Sequence, residues 1–179
     1  RRFAQVSHEY LIEQVQEQTL SAETGTSDLN FNHPVKELIW VNGGSNLNGF
    51  MTTPTSGGAG GSFSDTGVVS VANVDVTYQL KLNGHDRFAA RDYRYFTRTQ
   101  VWQHHTGCGG LNSNATGLGN LNDGIAVYSF ALKPEEHQPS GTCNFSRIDS
   151  AEFELTLSKT AITTLQMYAI NYNVLRIMS

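Results

Sequence analysis

The chain has 179 residues, a length that suits one domain rather than two. Its 12 Lys and Arg against 16 Asp and Glu give a formal net charge of −4, which excludes the basic surface of a nucleic-acid-binding or membrane-surface protein. Gly, Ser, Thr and Asn supply 63 of the residues, and this composition favours strands and turns over helices.

Alternation of apolar and polar side chains with period 2 predicts most of the strands. It is clearest at 74–82, where Val, Tyr and Leu occupy one face and Asp, Thr, Gln and Lys occupy the other. A phase slip at Val174-Leu175 predicts a bulge in the last strand. Helix is predicted only as short turns at 3–11 and at 86–92, where Asp86 is suited to the N-cap. In chain order, the seven predicted strands are 13–20, 35–41, 74–82, 95–103, 125–132, 151–158 and 168–178.

Two glycine-rich segments, 42–67 and 106–124, hold 14 of the 17 glycines and predict long loops. We interpret 1–179 as a single all-β domain, an eight-stranded antiparallel jelly roll whose first strand is missing. Successive loops of a jelly roll alternate between its two ends. Both glycine-rich loops are therefore expected at one end, and the 133–149 connection at the other. A missing first strand would expose the edge of 168–178, so we expect poor solubility or oligomerisation through that edge.

Clusters of His, Cys and acidic residues raise the alternative of a metal enzyme of the cupin type. The His-Asp pair at 85–86 and the His-His pair at 104–105 are neighbours in sequence, and neighbours on a strand point to opposite faces. We therefore expect loop-anchoring or exposed side chains, with no metal and no cofactor. The Glu-Glu-His run at 135–137 is typical of a helix's first turn or a solvated loop. Cys108 and Cys143 fit no metal-ligand spacing, and two free thiols are favoured over a disulfide.

A second alternative is a lectin-like, carbohydrate-binding jelly roll, which needs exposed aromatic side chains as sugar platforms. Trp40 and Trp102 are the candidates, but each lies in a predicted strand, where core packing is expected. No nucleophile motif of a hydrolase and no phosphate-binding glycine loop is present. The residues therefore show no catalytic signature.

Four stretches are recognisable as a set: HPVKELIWV at 33–41, LNGHDRF at 82–88, YSFALKPEEHQPSGTCNFSRID at 128–149, and YAINYNVLRIM at 168–178. They resemble the C-terminal half of the major capsid protein of nucleocytoplasmic large DNA viruses, the double jelly-roll type. The PSGTCNFSRID part is the most specific. The opening RRFAQVSHEYLIEQVQ looks like the segment just after the first strand of that family's second jelly roll.

The resemblance implies a structural protein of an icosahedral shell. In that family two tandem jelly rolls form one subunit, and three subunits form a pseudo-hexameric capsomer. The implied partners are two further copies in a homotrimer, neighbouring capsomers and minor capsid proteins. The implied location is the virion, with assembly in the host cytoplasm. No direct contact with nucleic acid is expected, and no membrane insertion, since no run approaches the roughly 18 apolar residues of a membrane span.

The segment 139–149 has the composition of a rigid structural clasp. Pro-Ser-Gly favours a tight turn, and the Asn and Ser side chains are suited to bonding neighbouring backbone groups. Arg147 offers five donors in a fixed geometry for a carboxylate or several carbonyls. The candidate assembly residues are therefore Pro139, Ser140, Gly141, Asn144, Ser146, Arg147 and Asp149.

Overall fold

The computed structural model describes residues 6–21, 25–42, 76–107, 125–157 and 164–178. Its strands are β1 His8–Ser21, β2 Gly25–Asp28, β3 Pro34–Asn42, β4 Val76–Leu82, β5 His85–Asp92, β6 Ala126–Ser129, β7 Cys143–Asn144, β8 Ala151–Leu157 and β9 Thr164–Ile177. The helical elements are a π-helical turn at Tyr95–Thr99, the short helix α1 at Gln100–His104 and a 3₁₀ turn at Phe145–Arg147.

The strands form two antiparallel sheets. The first has the order β1-β9-β3-β6, with the two-residue β7 paired to the start of β3. The second has the order β2-β8-β4-β5. Strands that are neighbours in a sheet mostly come from distant parts of the chain, and the connections pass repeatedly from one sheet to the other, as in a jelly roll. The predicted all-β fold of eight main strands is confirmed.

The core between the sheets is built around Trp40, which is fully buried. Its ring centroid lies 5.2 Å from those of Tyr78, Phe96 and Phe153. Tilted and edge-to-face pairs of this kind stabilise a fold by about 0.5–1.5 kcal/mol each beyond simple burial. Because Trp40 belongs to the first sheet and Tyr78 and Phe153 to the second, this cluster fixes how the sheets stack. Trp40 is therefore a core residue, as expected from its strand position.

The segment 95–103 is helical, so its prediction as a strand is wrong. Aromatic and Thr residues favour a strand by intrinsic propensity. In the fold, Phe96 and Gln100 are one helical turn apart and both are buried. Gln100 Oε1 accepts a hydrogen bond from the Ser129 backbone N–H at 3.2 Å, which ties the helical segment to the edge strand β6. These tertiary contacts, made by residues one helical turn apart, outweigh the intrinsic preference of the segment for a strand.

The segment 86–92 belongs to β5, so its prediction as a helical turn is also wrong. Asn83 and Gly84 have φ angles of 51° and 76°, and two successive positive φ values define a tight two-residue hairpin. The hairpin turns the chain back along β4, where Phe88 lies opposite Leu80. An Asn-Gly dipeptide between two alternating stretches was the signal for this strand.

β1 corrects two further predictions. The described part of 3–11 is extended from His8 onward rather than helical. β1 pairs along its whole length with β9, from His8 opposite Ile177 to Ser21 opposite Thr164. β9 therefore lies between β1 and β3, and the edge of 168–178 is covered. The expectation of a missing first strand fails for the same reason, since β1 is the first of the eight strands.

The bulge predicted at Val174-Leu175 is absent, because the β1–β9 register continues through both residues. Both side chains are exposed. Both faces of β9 are exposed to solvent at this point. Two successive apolar residues therefore do not show that the strand changes which face it turns toward the core. The irregularity of the first sheet lies instead on β3, between Val35 and Glu37.

The strand ends that border the two glycine-rich loops lie together at one end of the sandwich. β3 ends at Asn42, and Trp40 near that end is paired with Ala126 at the start of β6. Beyond their first residues, the loops themselves lie outside the described residues. The 133–149 connection lies at the other end of β3, next to the β4–β5 hairpin. The 106–124 segment begins at this end as well, because Thr106 bonds to Glu135, so the prediction that both glycine-rich loops lie away from the connection is wrong for the start of this segment.

Candidate functional site

The long connection between β6 and β8, residues 130–150, is tied to the start of β3 at two places. The backbone N–H groups of Phe130 and Ala131 donate to Lys36 O at 2.9 and 3.2 Å, where the bulge interrupts the β3–β9 pairing. β7 then pairs with the first two residues of β3. The connection therefore follows the sheet rather than forming a free loop.

The Asn-Phe-Ser part of the predicted clasp is bonded to His33, the residue before β3. Ser146 Oγ accepts from the His33 N–H at 2.8 Å, and the Phe145 N–H donates to His33 O at 3.1 Å. Asn144 Oδ1 accepts from the Ser146 N–H at 3.1 Å and so caps the 3₁₀ turn. Phe145 is buried, with its ring edge-on to that of Phe31. Together these contacts hold His33 at its positive φ of 69°.

The Pro-Ser-Gly part closes a second small loop. Ser140 Oγ accepts from the Lys133 N–H at 2.9 Å, and Pro139 is exposed beside it. Gly141 has a φ of 150°, and a Cβ at this position would lie 2.8 Å from Phe130 O. Gly141 is thus required both by its backbone angle and by the close approach of another backbone segment.

The Asp149 end of the clasp is bonded to the β4–β5 hairpin. Asn83 Oδ1 accepts from the backbone N–H groups of Asp149 at 2.9 Å and Ser150 at 3.1 Å, and the Asn83 N–H donates to Ser150 O at 2.7 Å. Sequence reasoning missed Asn83. Its Asn-Gly turn was recognisable, but the partner 66 residues away was not.

Arg147 is the predicted clasp residue that the structure does not engage in this network. Its side chain is exposed, and in the described part of the chain its guanidinium has no hydrogen bond or ion pair. Asp149 is exposed as well and contributes its backbone N–H rather than its carboxylate. The structure therefore brings together Ser140, Gly141, Asn144 and Ser146 as internal contacts and leaves the side chains of Pro139, Arg147 and Asp149 outside.

A second polar cluster joins the end of α1 to the same connection. His105 Nε2 lies 2.9 Å from Glu37 Oε2, and its Nδ1 lies 3.2 Å from Glu135 Oε1. The hydrogen bond to Glu37 is the main cause that raises the pKa of His105. Glu135 also accepts from the backbone N–H and the hydroxyl of Thr106, which lowers the pKa of its carboxyl. His105 is thus a loop anchor, as expected, whereas Glu135, which was predicted in a helix's first turn or a solvated loop, is bonded to His105 and Thr106.

Two glutamines of β1 hold the segment that enters β3, a role that sequence reasoning missed. Gln16 donates through Nε2 to Asn32 O at 2.7 Å and accepts at Oε1 from the Asn32 N–H at 3.1 Å. Gln18 bonds in the same way to Asp28 O and the Asn30 N–H. Each side-chain amide donates to a backbone C=O and accepts from a backbone N–H, as a peptide group of a neighbouring strand would. The regular spacing in QVQEQ was the available signal.

The remaining candidate residues do not form a catalytic arrangement. Within the described ranges, no three His, Cys, Asp or Glu side chains are grouped to hold a metal. Trp40 is buried and cannot serve as a sugar platform, whereas Trp102 is 76% exposed on α1, so its expected core packing is wrong. Cys143 is a free, half-buried thiol whose pKa is raised by burial, and Cys108 lies outside the described residues. No helix in the described part is long and apolar enough to cross a membrane.

Comparison with known proteins relates this fold to viral shells. The family model described as large eukaryotic DNA virus major capsid protein matches residues 1–179. The major capsid protein of Pyramimonas orientalis virus is 46% identical, over 100% of this chain and 43% of that protein. The major capsid protein of Paramecium bursaria Chlorella virus 1 is 37% identical, over 99% of this chain and 48% of that protein.

The similarity extends to three dimensions. A capsid structure of the same Chlorella virus superposes with a TM-score of 0.72 at 35% identity, over 99% of this chain and 51% of that chain. The Faustovirus major capsid protein, at 16% identity and a TM-score of 0.58, shares the fold. The chain spans about half the length of the relatives it matches. With a family match over every residue, the chain belongs to the family of large eukaryotic DNA virus major capsid proteins.

Proposed function

We propose that this chain is the C-terminal jelly roll of a double jelly-roll subunit, and that the subunit builds an icosahedral virus shell. The observation that carries the proposal is the match of the whole chain to about half of a capsid protein chain, in sequence and in fold. A relative twice as long as this eight-stranded sandwich has room for a second unit of the same size. The function is mechanical, because the described residues are used to brace loops against sheets.

The subunit is proposed to form a homotrimer with pseudo-hexameric outline, which meets neighbouring capsomers and minor capsid proteins in the virion. Assembly takes place in the host cytoplasm. The jelly roll suits this role, because most backbone groups are paired inside the two sheets and the described edge strand β5 is charged. Specificity then comes from shape and side-chain complementarity between rigid units.

We further propose that the 139–149 segment is a rigid clasp that presents a fixed surface to a partner in the shell. Its internal bonds reach both the His33 turn and the Asn83 hairpin, which are far apart in sequence. Because these bonds fix the backbone, the exposed side chains of Arg147 and Asp149 project from fixed Cα positions and are not used inside the domain. A preorganised surface loses little entropy when it binds.

Electron microscopy of the full-length parent protein tests the proposed function. We expect trimeric particles with six sandwich-shaped densities in a ring, and shell-like assemblies at high protein concentration. Particles that contain one sandwich per subunit, or a parent that stays monomeric at every concentration, would contradict the double jelly-roll subunit. Fitting this domain into the density would also show whether Arg147 faces another protein.

A further inference from the structure

The bulge of β3 turns two oppositely charged neighbours, Lys36 and Glu37, toward the outer face of the first sheet. Val35 and Leu38 on either side of them both enter the core, although a regular strand turns only residues an even number of positions apart to the same face. Each charged side chain is nevertheless only 3% exposed. Charged groups are rarely buried to this extent unless they are paired, so the partners of these two residues matter for the stability of the fold.

The partners come from the elements that surround this face of the sheet. Lys36 Nζ lies 2.8 Å from Glu13 Oε1 of β1, and 5.6 Å from the ring centroid of Tyr172 on β9. Glu37 Oε2 lies 2.9 Å from Nε2 of His105, just beyond α1. The buried ammonium is thus paired with a carboxylate, whereas the buried carboxylate is paired with an imidazole, which carries a charge only when it is protonated.

The 130–150 connection covers these buried charges, and histidines hold it there. His105 Nδ1 lies 3.2 Å from Glu135 Oε1, so this ring joins the connection to β3. His137 Nδ1 lies 3.4 Å from Glu13 Oε1, so a second ring joins the connection to β1. We name residues 132–137, held in this way, the histidine latch.

The residues on each side of His105 contact the latch as well. His104 Nδ1 lies 3.2 Å from Leu132 O. Thr106 donates to Glu135 through its backbone N–H at 3.0 Å and through its hydroxyl at 2.7 Å. The Thr106 N–H keeps this bond only while Glu135 stays in place, so its exchange with solvent reports whether the latch is closed.

The charges of the cluster balance only when the imidazoles are protonated. The carboxylates and bases that face one another across it are Glu13, Glu37, Glu135, Lys36, His105 and His137. With both imidazoles charged, each carboxylate has a matching cation. With both neutral, a single ammonium faces all the carboxylates. A neutral imidazole also has only one N–H, so His105 can then donate to Glu37 or to Glu135 but not to both.

We propose that residues 132–137 form a pH-sensitive latch, which is closed while His105 is charged and is released from the sheet when His105 loses its proton. The connection moves rather than the strand, because Glu37 is fixed within β3 whereas the side chain of Glu135 is 39% exposed. The 139–149 clasp stays in place, since its bonds to the His33 turn and the Asn83 hairpin are made by hydroxyl, amide and backbone groups. Every group involved belongs to this chain, so the latch goes beyond the proposed function and does not depend on it.

The direction of the switch follows from the electrostatics of His105. Chiefly through the hydrogen bond to Glu37, its surroundings raise its pKa above the ordinary value of 6.5. The latch is therefore closed below pH 6.5 and opens as the pH rises through the higher value of the folded chain. A subunit that contains it is braced in mildly acidic solution and loosened in mildly alkaline solution.

Hydrogen exchange of the full 179-residue chain, followed by mass spectrometry at pH 6 and pH 8.5, tests the latch. After correction for the intrinsic rise of exchange with pH, peptides that cover Thr106 and 132–137 should lose protection by about tenfold at the higher pH. Peptides from β8, in the other sheet, are the internal reference and should keep their protection. Because global unfolding exposes all peptides alike, this reference also shows whether a variant is folded.

Two variants separate the latch from a general effect of pH. His105→Gln cannot carry the charge, so its latch should be as open at pH 6 as that of the unmodified chain is at pH 8.5. Glu37→Gln removes the buried carboxylate that needs a cation, so its protection should change by less than about threefold between the two pH values. His85→Gln, at an exposed histidine of β5, is the matched control and should respond like the unmodified chain.

Equal loss of protection in 132–137 and in β8 would overturn the inference, as would a His105→Gln variant that keeps the unmodified response to pH. If His105→Gln does not fold, Glu37→Gln decides, and an unmodified pH response in that variant is then the contradicting result. These outcomes leave the proposed function standing, because that function is tested by the trimers of the full-length parent.

Discussion

His105 Nε2 lies 2.9 Å from the carboxylate of Glu37, which is almost completely buried. The other ring nitrogen faces Glu135 at 3.2 Å. Only an imidazolium can donate to both carboxylates at once, so the geometry favours the charged form of His105. The contact joins three parts of the chain: the end of α1, the middle of β3 and the 130–150 connection.

The first prediction follows from the raised pKa of His105. A group whose pKa is raised in the folded state contributes stability that is fully present below its unfolded value of 6.5 and is lost as the pH rises through the folded value. We therefore expect the melting temperature to exceed that of His105→Gln at pH 5.5–6, with a gap that narrows toward pH 8.5. The control is His85→Gln, at an exposed histidine of β5. A gap that is constant with pH would contradict the prediction.

Among the polar residues that bond to the Asp149 end of the clasp, Asn83 is expected to lower stability most when it is substituted. Asn83→Ala removes the acceptor of two backbone N–H groups and places Ala at a φ of 51°. We expect a loss of about 2 kcal/mol in the free energy of unfolding, or a melting temperature lower by about 4–8 °C. Asn83→Asp keeps the acceptor, and Asn83→Gly keeps the backbone freedom. Urea denaturation should place both between the unmodified chain and the alanine variant.

Alanine substitutions at two glycines with nearly the same φ distinguish the cost of backbone strain from the cost of a steric clash. Gly25 has a φ of 152° and open space around it, whereas a Cβ on Gly141 would meet Phe130 O at 2.8 Å. Gly25→Ala should destabilise by about 1 kcal/mol and Gly141→Ala by about 3 kcal/mol. Equal losses, measured by thermal or chemical unfolding, would show that the connection can move away from Phe130.

Ser146 and Arg147 are adjacent but should respond differently to substitution. Ser146→Ala removes the acceptor of the His33 N–H and is expected to lower stability by about 1 kcal/mol. Arg147→Ala should change it by less than about 0.5 kcal/mol, because the side chain is exposed. If the clasp presents Arg147 to a partner, Arg147→Ala in the full-length parent should reduce capsomer or shell yield, as counted by electron microscopy. Unchanged yield would remove Arg147 from the proposed contact.

Strands with one face in the core were predictable because the information is local. In 76–82 and 151–156, the described parts of two predicted strands, alternate residues enter the core and the others are more exposed, so the pattern and the structure agree. Pro34 begins β3, where its missing N–H does no harm. The Asn-Phe-Ser part forms a local 3₁₀ turn capped by Asn144, as its neighbouring residues indicate. The tight turn predicted at Pro-Ser-Gly is absent, and that stretch is fixed instead by contacts with Lys133 and Phe130.

The sequence by itself determined the fold class, the family resemblance and the polar segment at one end, because alternation and turn chemistry act over a few residues. Only the tertiary structure decided that 95–103 is helical, that β1 covers β9 and that Asn83 bonds to Asp149. These features depend on contacts such as Gln16 with Asn171, which are 155 residues apart, and no local pattern encodes the partner of such a contact.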